Sequence, residues 1–165
     1  MDVEIYTDGG CAGNPGPGGW AYVIIGDRAE HPDKSPEGEA GTSDILAEKW
    51  GAEKATTINR MELYAVIAAL EELSRFNPLP DSVTVYTDSQ YVQRGMSSWI
   101  QNWKKKGWRT SSKEPVKNKE LWQHLEKLAG NFTITWVWVK GHAGNHYNEH
   151  CDTMTQRAIA SLEEL

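Results

Sequence analysis

The sequence predicts a single α/β domain, spanning residues 1–165, built on a mixed five-stranded sheet with helices on both faces. Apolar residues alternate with a period of two in the first third of the chain and then recur at helical spacing. Two later apolar segments of strand length are separated by helical segments, the pattern of strands entered through crossovers. We therefore expect three antiparallel strands followed by two parallel ones. A chain of 165 residues, 24% of them charged, can bury a sizeable core in one domain.

Three strands are predicted before the first helix. Val3–Thr7 alternates like a strand, and Gly18–Ile25 resumes the pattern after G-N-P-G-P-G-G, so the two segments predict a hairpin. Residues 26–44 are rich in charged residues, proline and glycine, which predicts a long solvated loop. A third strand is expected within Ile45–Lys54, although the alanine, glutamate and lysine there would suit a helix equally well.

The first helix has the clearest pattern of all the elements. Apolar residues recur three and four positions apart after Asn59, a candidate N-cap, and Asn77-Pro78 closes the run. The later elements follow in order: a strand at Val83–Thr87, a short helix capped by Ser89, a helix marked by Leu121, Leu125 and Leu128 and ended by Gly130, a strand at Phe132–Val139, and a helix at Asn148–Leu162.

The charges are unevenly distributed along a chain whose formal net charge is -6. Residues 94–119 hold eight bases and one acid, a net of +7 that leaves -13 for the remainder. This asymmetry predicts a local anion-binding surface on an otherwise acidic body. Indole rings and ammonium groups interleave there, a combination that suits nucleic acid: Trp99, Trp103, Lys104, Lys105, Lys106 and Trp108. Alternatively, Trp99 and Trp103 could pack one helical stripe into the core.

The cysteines and apolar runs indicate the compartment. Cys11 and Cys151 lie far apart and form no CxxC motif, so we expect reduced thiols rather than a disulfide or a zinc site. The apolar runs are too short to cross a bilayer, and no targeting segment opens the chain. We expect a soluble, cytoplasmic protein.

Four acidic residues are candidates for chemistry: Asp8, Glu62, Asp88 and Asp152. Each has a plain local interpretation, namely a turn for Asp8-Gly9, the N3 place of a capping box for Glu62, a helix cap for Asp88, and the first turn of a helix for Asp152. However, ligands gather beyond the carboxyl ends of strands in open α/β sheets, and Asp8 and Asp88 both follow apolar strands. With helix-borne acids leaning over them, the four carboxylates would neutralise two Mg²⁺ ions.

Six motifs, in order, cover nearly the whole chain and resemble bacterial ribonuclease H of type 1. They are T-D-G-G-C-A-G-N-P-G-P-G-G from Thr7, T-T-I-N-R-M-E-L from Thr56, Y-T-D-S-Q-Y-V from Tyr86, W-I-Q-N-W-K-K-K-G-W from Trp99, P-V-K-N from Pro115, and W-V-K-G-H-A-G-N from Trp138, followed by N-E-H-C-D. The resemblance implies a ribonuclease H-like fold with a basic handle at about residues 99–117.

The resemblance also implies an endonuclease that cuts the RNA strand of RNA/DNA hybrids and leaves 5′-phosphate and 3′-hydroxyl ends. It implies that Asp8, Glu62, Asp88 and Asp152 are the catalytic ligands of two Mg²⁺ ions, for which Mn²⁺ can substitute. His142, in K-G-H-A-G, would shuttle a proton or help release product; otherwise it is a solvated loop histidine. The expected partner is the hybrid alone, with no obligate protein partner, and the protein is expected to be a monomer.

Substrate contacts follow from matched positions. Tyr91, Trp99 and Ser111 would line a channel for the DNA strand, while Thr57 and Asn118 would hold a DNA phosphate. The RNA strand would be recognised through its 2′-hydroxyls by Asn14, Asn59, Gln90 and main-chain groups near Cys11, although turn and cap chemistry would also explain the two asparagines. Backbone recognition predicts cleavage largely independent of sequence.

Three departures from the family pattern stand out. Ala55 occupies a place where relatives often have an arginine beside the phosphate, so Lys54 could be recruited instead. Ile58 replaces a common asparagine, and the loop at 26–44 is longer than usual.

The sequence disfavours three other functions. A DNA nuclease or strand-transfer enzyme of the same fold superfamily would lack the handle and G-H-A-G. An inactive hybrid-binding module would be expected to have lost at least one of the four acids. A plain structural domain would leave the Trp-rich basic segment without a reason.

Overall fold

The mixed five-stranded sheet is confirmed by a computed structural model that describes residues 1–27, 43–141 and 144–163. The strand order is β3-β2-β1-β4-β5, with the first three strands antiparallel and the last two joined in parallel to β1 and to each other. The strands are β1 at Asp2–Cys11, β2 at Gly16–Asp27, β3 at Ser43–Thr56, β4 at Ser82–Thr87 and β5 at Ile134–Trp138. β1 therefore lies at the centre of the sheet, and β3 and β5 form its edges.

Helical segments connect the strands and cover the sheet. They are α1 at Ile58–Leu73, α2 at Gln90–Arg94, a π-helical segment at Gly95–Trp99, α3 at Ile100–Lys105, α4 at Lys119–Ala129 and α5 at His146–Glu163. A side chain at Gly95 would overlap the ring of Trp122, so this glycine lets the helical run lie directly against α4.

Apolar side chains form two separate layers. The larger layer packs α1, α2 and α4 against one face of the sheet, with Leu63, Leu70 and Trp122 among its fully buried members. The smaller layer lies on the other face, where Cys151 and Met154 of α5 pack among β-strand residues. Helices on both faces of the sheet were predicted, and this is confirmed. Within the described parts of the chain, no helix has the length and apolar character needed to cross a membrane.

Element boundaries differ from the prediction where tertiary pairing extends a strand. β1 continues past Thr7 because Asp8 pairs with Ala21 and Cys11 pairs with Gly18, so the Asp8-Gly9 turn is wrong. β2 and β3 also run into the ends of the predicted loop, reaching Asp27 and Ser43. The rest of the loop predicted at 26–44 lies outside the described residues.

Two helix starts also differ from the prediction. Thr57, not Asn59, is the N-cap of α1, since its Oγ1 accepts a hydrogen bond from the Arg60 amide at 3.2 Å. Glu62 therefore lies beyond the N3 position, and the capping-box interpretation is wrong. α5 begins at His146, which places Asp152 in its second turn rather than its first.

The predicted start of α2 and the predicted end of α4 are confirmed. Ser89 caps α2 through a 3.1 Å hydrogen bond from the Val92 amide, and Gly130 follows the last residue of α4. The cap of α2 is therefore Ser89 and not Asp88.

Candidate active site

Two parallel strands bring the first pair of carboxylates together. β1 and β4 are neighbours, and Thr7 of β1 lies opposite Thr87 of β4. The residue after each threonine is an aspartate, Asp8 within β1 and Asp88 just beyond β4, so the two carboxylates lie close together where the β1–β4 pairing ends. Asp88 follows the end of its strand as predicted, whereas Asp8 lies within β1, which continues to Cys11.

The third carboxylate arrives because a glycine allows β1 and α1 to touch. A Cβ atom on Gly9 would lie 2.5 Å from the backbone nitrogen of Glu62 and 2.5 Å from the carbonyl carbon of Met61. Real Cβ atoms do not approach backbone this closely, so only glycine permits the contact. The close approach places Glu62, in the second turn of α1, directly beside Asp8.

Asp8, Glu62 and Asp88 form one tight cluster. Each offers a carboxylate oxygen, and these oxygens all lie within 4.8 Å of one another. Asp8 and Glu62 are each 5% exposed, so water screens their charges poorly. Burial, together with the charge of Asp88, raises the pKa of Asp8 to about 8. Burial, together with the charges of Asp8 and Asp88, raises the pKa of Glu62 as well.

These residues fit a divalent metal ion. The cluster concentrates negative charge at a buried point, and Oε2 of Glu62 is buried with no hydrogen-bond partner among the described residues. Buried charge without compensation is costly, and carboxylate oxygens are the ligands that Mg²⁺ and Mn²⁺ prefer. The donor set is therefore that of a hard-cation site rather than a zinc or redox centre.

Two of the predicted catalytic residues, Asp152 and His142, remain to be placed. Asp152, on α5, is near enough to raise the pKa of Asp8, as a smaller cause than burial and Asp88. It does not belong to the group whose oxygens lie within 4.8 Å, so the structure brings three of the four acids into close contact. His142 lies outside the described residues.

Residues from β5 and the segment after it support Asp88. The indole nitrogen of Trp138, the last residue of β5, donates a hydrogen bond of 3.0 Å to the carbonyl oxygen of Asp88. A Cβ atom on Gly141 would lie 3.1 Å from Oδ2 of the same aspartate. Sequence reasoning missed Trp138 as a site residue. The available signal was its place at the end of a strand, in the motif that contains His142.

The handle is built on a series of aromatic contacts. Ring centroids are 5.9 Å apart between Trp99 and Trp103, 6.0 Å between Trp103 and Trp108, and 5.3 Å between Trp103 and the buried Trp122. Tyr91 joins the series through Trp99 at 5.9 Å and through Trp122 at 5.1 Å. The indoles therefore pack the handle as one interpretation predicted, and Trp99, Trp103 and Trp108 remain partly exposed.

One cleft in the handle combines an indole face with cations. It has a volume of about 270 Å³ and is lined by Trp99, Asn102, Trp103, Lys106, Arg109, Thr110 and Ser111. Lys105 is exposed nearby, whereas Lys104 forms a 2.7 Å ion pair with Glu126 of α4. Trp99 and Ser111, which were both predicted to line a channel for the DNA strand, line this cleft together. Lys106 and Arg109 give the cleft its positive charge.

The starts of α1 and α4 lie side by side, joined by an arginine. Arg60 donates to Oδ1 of Asn118 at 3.1 Å and forms a 2.9 Å ion pair with Glu120. Asn118, in the left-handed conformation with φ 61°, also donates to the hydroxyl of Tyr91 at 3.2 Å. Thr57 caps α1 one turn before this arginine. Sequence reasoning named Thr57 and Asn118 but missed Arg60, whose signal was its position three residues after the cap.

Lys54, which the sequence suggested as a substitute for an arginine beside the DNA phosphate, lies elsewhere. It lines a separate cleft with Pro17, Leu162 and Glu163, at the end of α5. Arg60, not Lys54, is therefore the cation that contacts Asn118.

The residues predicted to recognise RNA surround the start of α1 and the end of β4. Oδ1 of Asn14 accepts a 3.1 Å hydrogen bond from the amide of Ile58, the first residue of α1. Asn59 and Gln90 are exposed in the first turns of α1 and α2, and Cys11 is half-buried at the end of β1.

Comparison with known families gives one consistent match. A family model described as RNase H matches residues 1–160. A ribonuclease H of Treponema denticola is 48% identical and covers 98% of this chain and 99% of its own length. A ribonuclease H of Cupriavidus pinatubonensis is also 48% identical, with 98% of each chain covered. This chain thus spans nearly the full length of these relatives.

Solved structures agree with the sequence relatives. LC9-RNase H1, described as a type 1 RNase H with the type 2 active-site motif, superposes with a TM-score of 0.80 at 31% identity, covering 97% of this chain and 72% of that one. LC11-RNase H1, solved in complex with an RNA/DNA hybrid, superposes with a TM-score of 0.69 at 26% identity, covering 98% of this chain and 99% of that one.

Proposed function

The chain belongs to the RNase H family and hydrolyses the RNA strand of RNA/DNA hybrids, and we propose that four acidic residues perform this reaction by binding two Mg²⁺ ions. They are Asp8, Glu62, Asp88 and Asp152. The observation that carries the proposal is the buried cluster in which three of these carboxylates offer oxygens within 4.8 Å of one another. Asp152 completes the set from α5 when substrate and metal are bound.

The carboxylates act by holding charge in a fixed place. When bound, the metal ions neutralise the phosphate and make water a better nucleophile at neutral pH. Asp8 and Glu62 are held rigidly by β1 and α1, whose backbones touch at Gly9. Because both acids are buried, bulk water does not weaken their interaction with a cation. His142 is proposed to move a proton or to help release product.

The handle cleft is proposed to hold the DNA strand. The partly exposed face of Trp99 suits contact with a deoxyribose, and Ser111, Lys106 and Arg109 lie in the same cleft. A flat apolar surface beside a sugar disfavours an additional hydroxyl, so this contact selects DNA over RNA for that strand. Tyr91, Trp103, Lys104, Lys105 and Trp108 support or flank the cleft.

A second contact with the DNA strand is proposed at the starts of α1 and α4. We call the group of Thr57, Arg60 and Asn118 the phosphate pocket. Two helix N-termini and one guanidinium group favour an anion there. Arg60 contacts Asn118 and is paired with Glu120, and it is the proposed source of the positive charge that Ala55 cannot supply.

The RNA strand is proposed to be recognised by groups that bond a 2′-hydroxyl. Asn14, Asn59 and Gln90 provide amide donors and acceptors, and the main chain near Cys11 provides further ones. None of these groups reads base edges, so cleavage is proposed to be largely independent of sequence. The products are proposed to carry 5′-phosphate and 3′-hydroxyl ends.

The protein is proposed to act as a single catalytic domain and a monomer, without an obligate protein partner. Hybrids form where DNA is copied and transcribed, which supports a cytoplasmic location. Mg²⁺ is the proposed ion because the ligands are all oxygens, and Mn²⁺ shares that preference.

The proposed function is tested by cleavage of labelled duplexes. The protein is incubated with an RNA/DNA hybrid, RNA/RNA and DNA/DNA in Mg²⁺ or EDTA, together with Asp8→Asn, His142→Ala and a charge-matched control, Glu53→Gln, at an exposed position on β3. Only the RNA strand of the hybrid should be cut; Asp8→Asn should abolish cutting, His142→Ala should slow it, and Glu53→Gln should leave it unchanged. Cutting of DNA/DNA, or full activity of Asp8→Asn, would contradict the proposal.

A further inference from the structure

Trp138 is placed to control Asp88 although it is not one of the acidic ligands. Its indole nitrogen donates a 3.0 Å hydrogen bond to the backbone carbonyl of Asp88, across a sequence separation of 50 residues. Trp138 and Thr87 are paired as the last residues of two parallel strands. The aspartate leaves the sheet immediately after that pair. The bond therefore acts on the first peptide unit that the sheet no longer holds.

Burial does not explain why this residue is a tryptophan. The Trp138 side chain is 42% exposed and lies on β5, an edge strand. A tryptophan this exposed buries less apolar surface than one in the core, whereas its N–H group has a defined partner. The specific contribution of the side chain is thus its hydrogen bond to Asp88.

The same segment approaches the carboxylate of Asp88 from a second direction. Val139 donates its amide to the carbonyl of Thr87 at 2.9 Å. Two residues later, Gly141 lies so close that a Cβ atom there would be 3.1 Å from Oδ2 of Asp88. β5 and the residues that follow it thus contact the backbone before Asp88, the carbonyl of Asp88 and its carboxylate.

We propose that Trp138 is a positioning residue, whose indole N–H holds the Asp88 peptide so that the carboxylate stays in register with Asp8 and Glu62. The inference rests on the proposed function of these three acids. Rotation of the Asp88 peptide would turn its carboxylate away from the other two, and metal affinity depends on all ligands being in place. Trp138 acts through Asp88 and not by contact with the RNA strand.

The test removes the hydrogen-bond donor of Trp138 and keeps an aromatic ring at that position. Trp138→Phe keeps an aromatic side chain but removes the N–H group. The matched control is Trp50→Phe on β3, because Trp50 is also 42% exposed on an edge strand, and its indole makes no hydrogen bond to any described residue. Steady-state cleavage of the hybrid, Mn²⁺ binding by calorimetry without substrate, and Tm are measured for both variants and for the unmodified chain.

Loss of this one hydrogen bond should weaken the metal site by roughly five- to tenfold. We expect Trp138→Phe to lower kcat and Mn²⁺ affinity by about that factor, to leave KM for the hybrid within about twofold, and to change Tm no more than Trp50→Phe does. Equal kcat and Mn²⁺ affinity in the two variants would overturn the proposal. A higher KM with unchanged kcat would also overturn it, since that result would place the indole on the substrate.

The calorimetric arm separates this inference from the proposed function. If the unmodified chain bound Mn²⁺ but failed to cut the hybrid, the proposed function would fail, while the comparison of Mn²⁺ affinities would still decide the role of Trp138. If the unmodified chain cut the hybrid and Trp138→Phe were indistinguishable from it, only the positioning role would fail.

Discussion

Asp8→Asn should make the metal-free protein more stable while abolishing its activity. Asparagine has nearly the same shape as aspartate but cannot ionise, so the substitution removes one of the three clustered acids. The pKa of Asp8 is raised to about 8 by burial and by the charge of Asp88, whereas an aspartate in an unfolded chain ionises near pH 4. Folding at neutral pH therefore works against the ionisation of this side chain.

The size of the effect follows from the pKa difference. At pH 7 the unfolded chain has released the Asp8 proton and the folded chain retains most of it, over a window of about three pH units. At 1.36 kcal/mol per unit, this window limits the gain from Asp8→Asn to about 4 kcal/mol. We expect a gain between about 1 and 4 kcal/mol, or roughly 3 to 12 °C in Tm for a domain of this size.

The sign of the pH dependence is also determined. Because the folded pKa of this acid is higher than the unfolded one, the metal-free protein should lose stability as the pH rises from about 4 to about 8. The raised pKa of Glu62 acts in the same direction. Asp8→Asn should flatten this dependence, and Mg²⁺ should oppose it in the unmodified chain, since a bound ion stabilises the folded state.

The assay is thermal unfolding in EDTA and in saturating Mg²⁺ at several pH values, with Glu53→Gln as the control for the loss of one exposed charge. The unmodified chain and the control should gain Tm with Mg²⁺, and Asp8→Asn should not. The electrostatic reasoning would be refuted if Asp8→Asn lowered Tm in EDTA, or if it retained the full gain from Mg²⁺.

Three further substitutions test other parts of the site. Gly9→Ala should lower the free energy of unfolding in urea by at least about 3 kcal/mol, because the new Cβ atom would lie 2.5 Å from the backbone nitrogen of Glu62. The control is Gly130→Ala, where the nearest atom is 3.5 Å away and the loss should be less than about 0.5 kcal/mol. A similar cost for both would contradict the close contact of β1 with α1. Arg60→Ala should raise KM for the hybrid by about tenfold with kcat unchanged, through loss of charge in the phosphate pocket; an unchanged KM in steady-state cleavage would remove Arg60 from that pocket. Lys106→Ala should weaken hybrid binding and reduce the slope of log K against log salt by about 0.7 to 0.9, and an unchanged slope would show that this lysine contacts no phosphate.

The sequence by itself predicted the order of the elements and the mixed sheet, and its motifs named four candidate acids, three of which the structure brings together. Apolar periodicity is a local property, so α1 and the strand at Val83–Thr87 could be located from it, whereas the residues of Ile45–Lys54 suited a helix equally well. Boundaries were less accessible, because pairing with β2 carries β1 on to Cys11 and moves the start of its turn. For the same reason, cap signals found Ser89 and Gly130 but chose Asn59 in place of Thr57.

Tertiary structure alone decided how the acids meet and what holds them. Gly9 touches α1 at Glu62, Arg60 joins the starts of two helices, and Trp138 bonds to Asp88 across 50 residues. These contacts depend on strand order and on the packing of separate elements, neither of which leaves a periodic trace in the sequence. The raised pKa values have the same origin, because burial and the spacing of charges exist only in the folded chain.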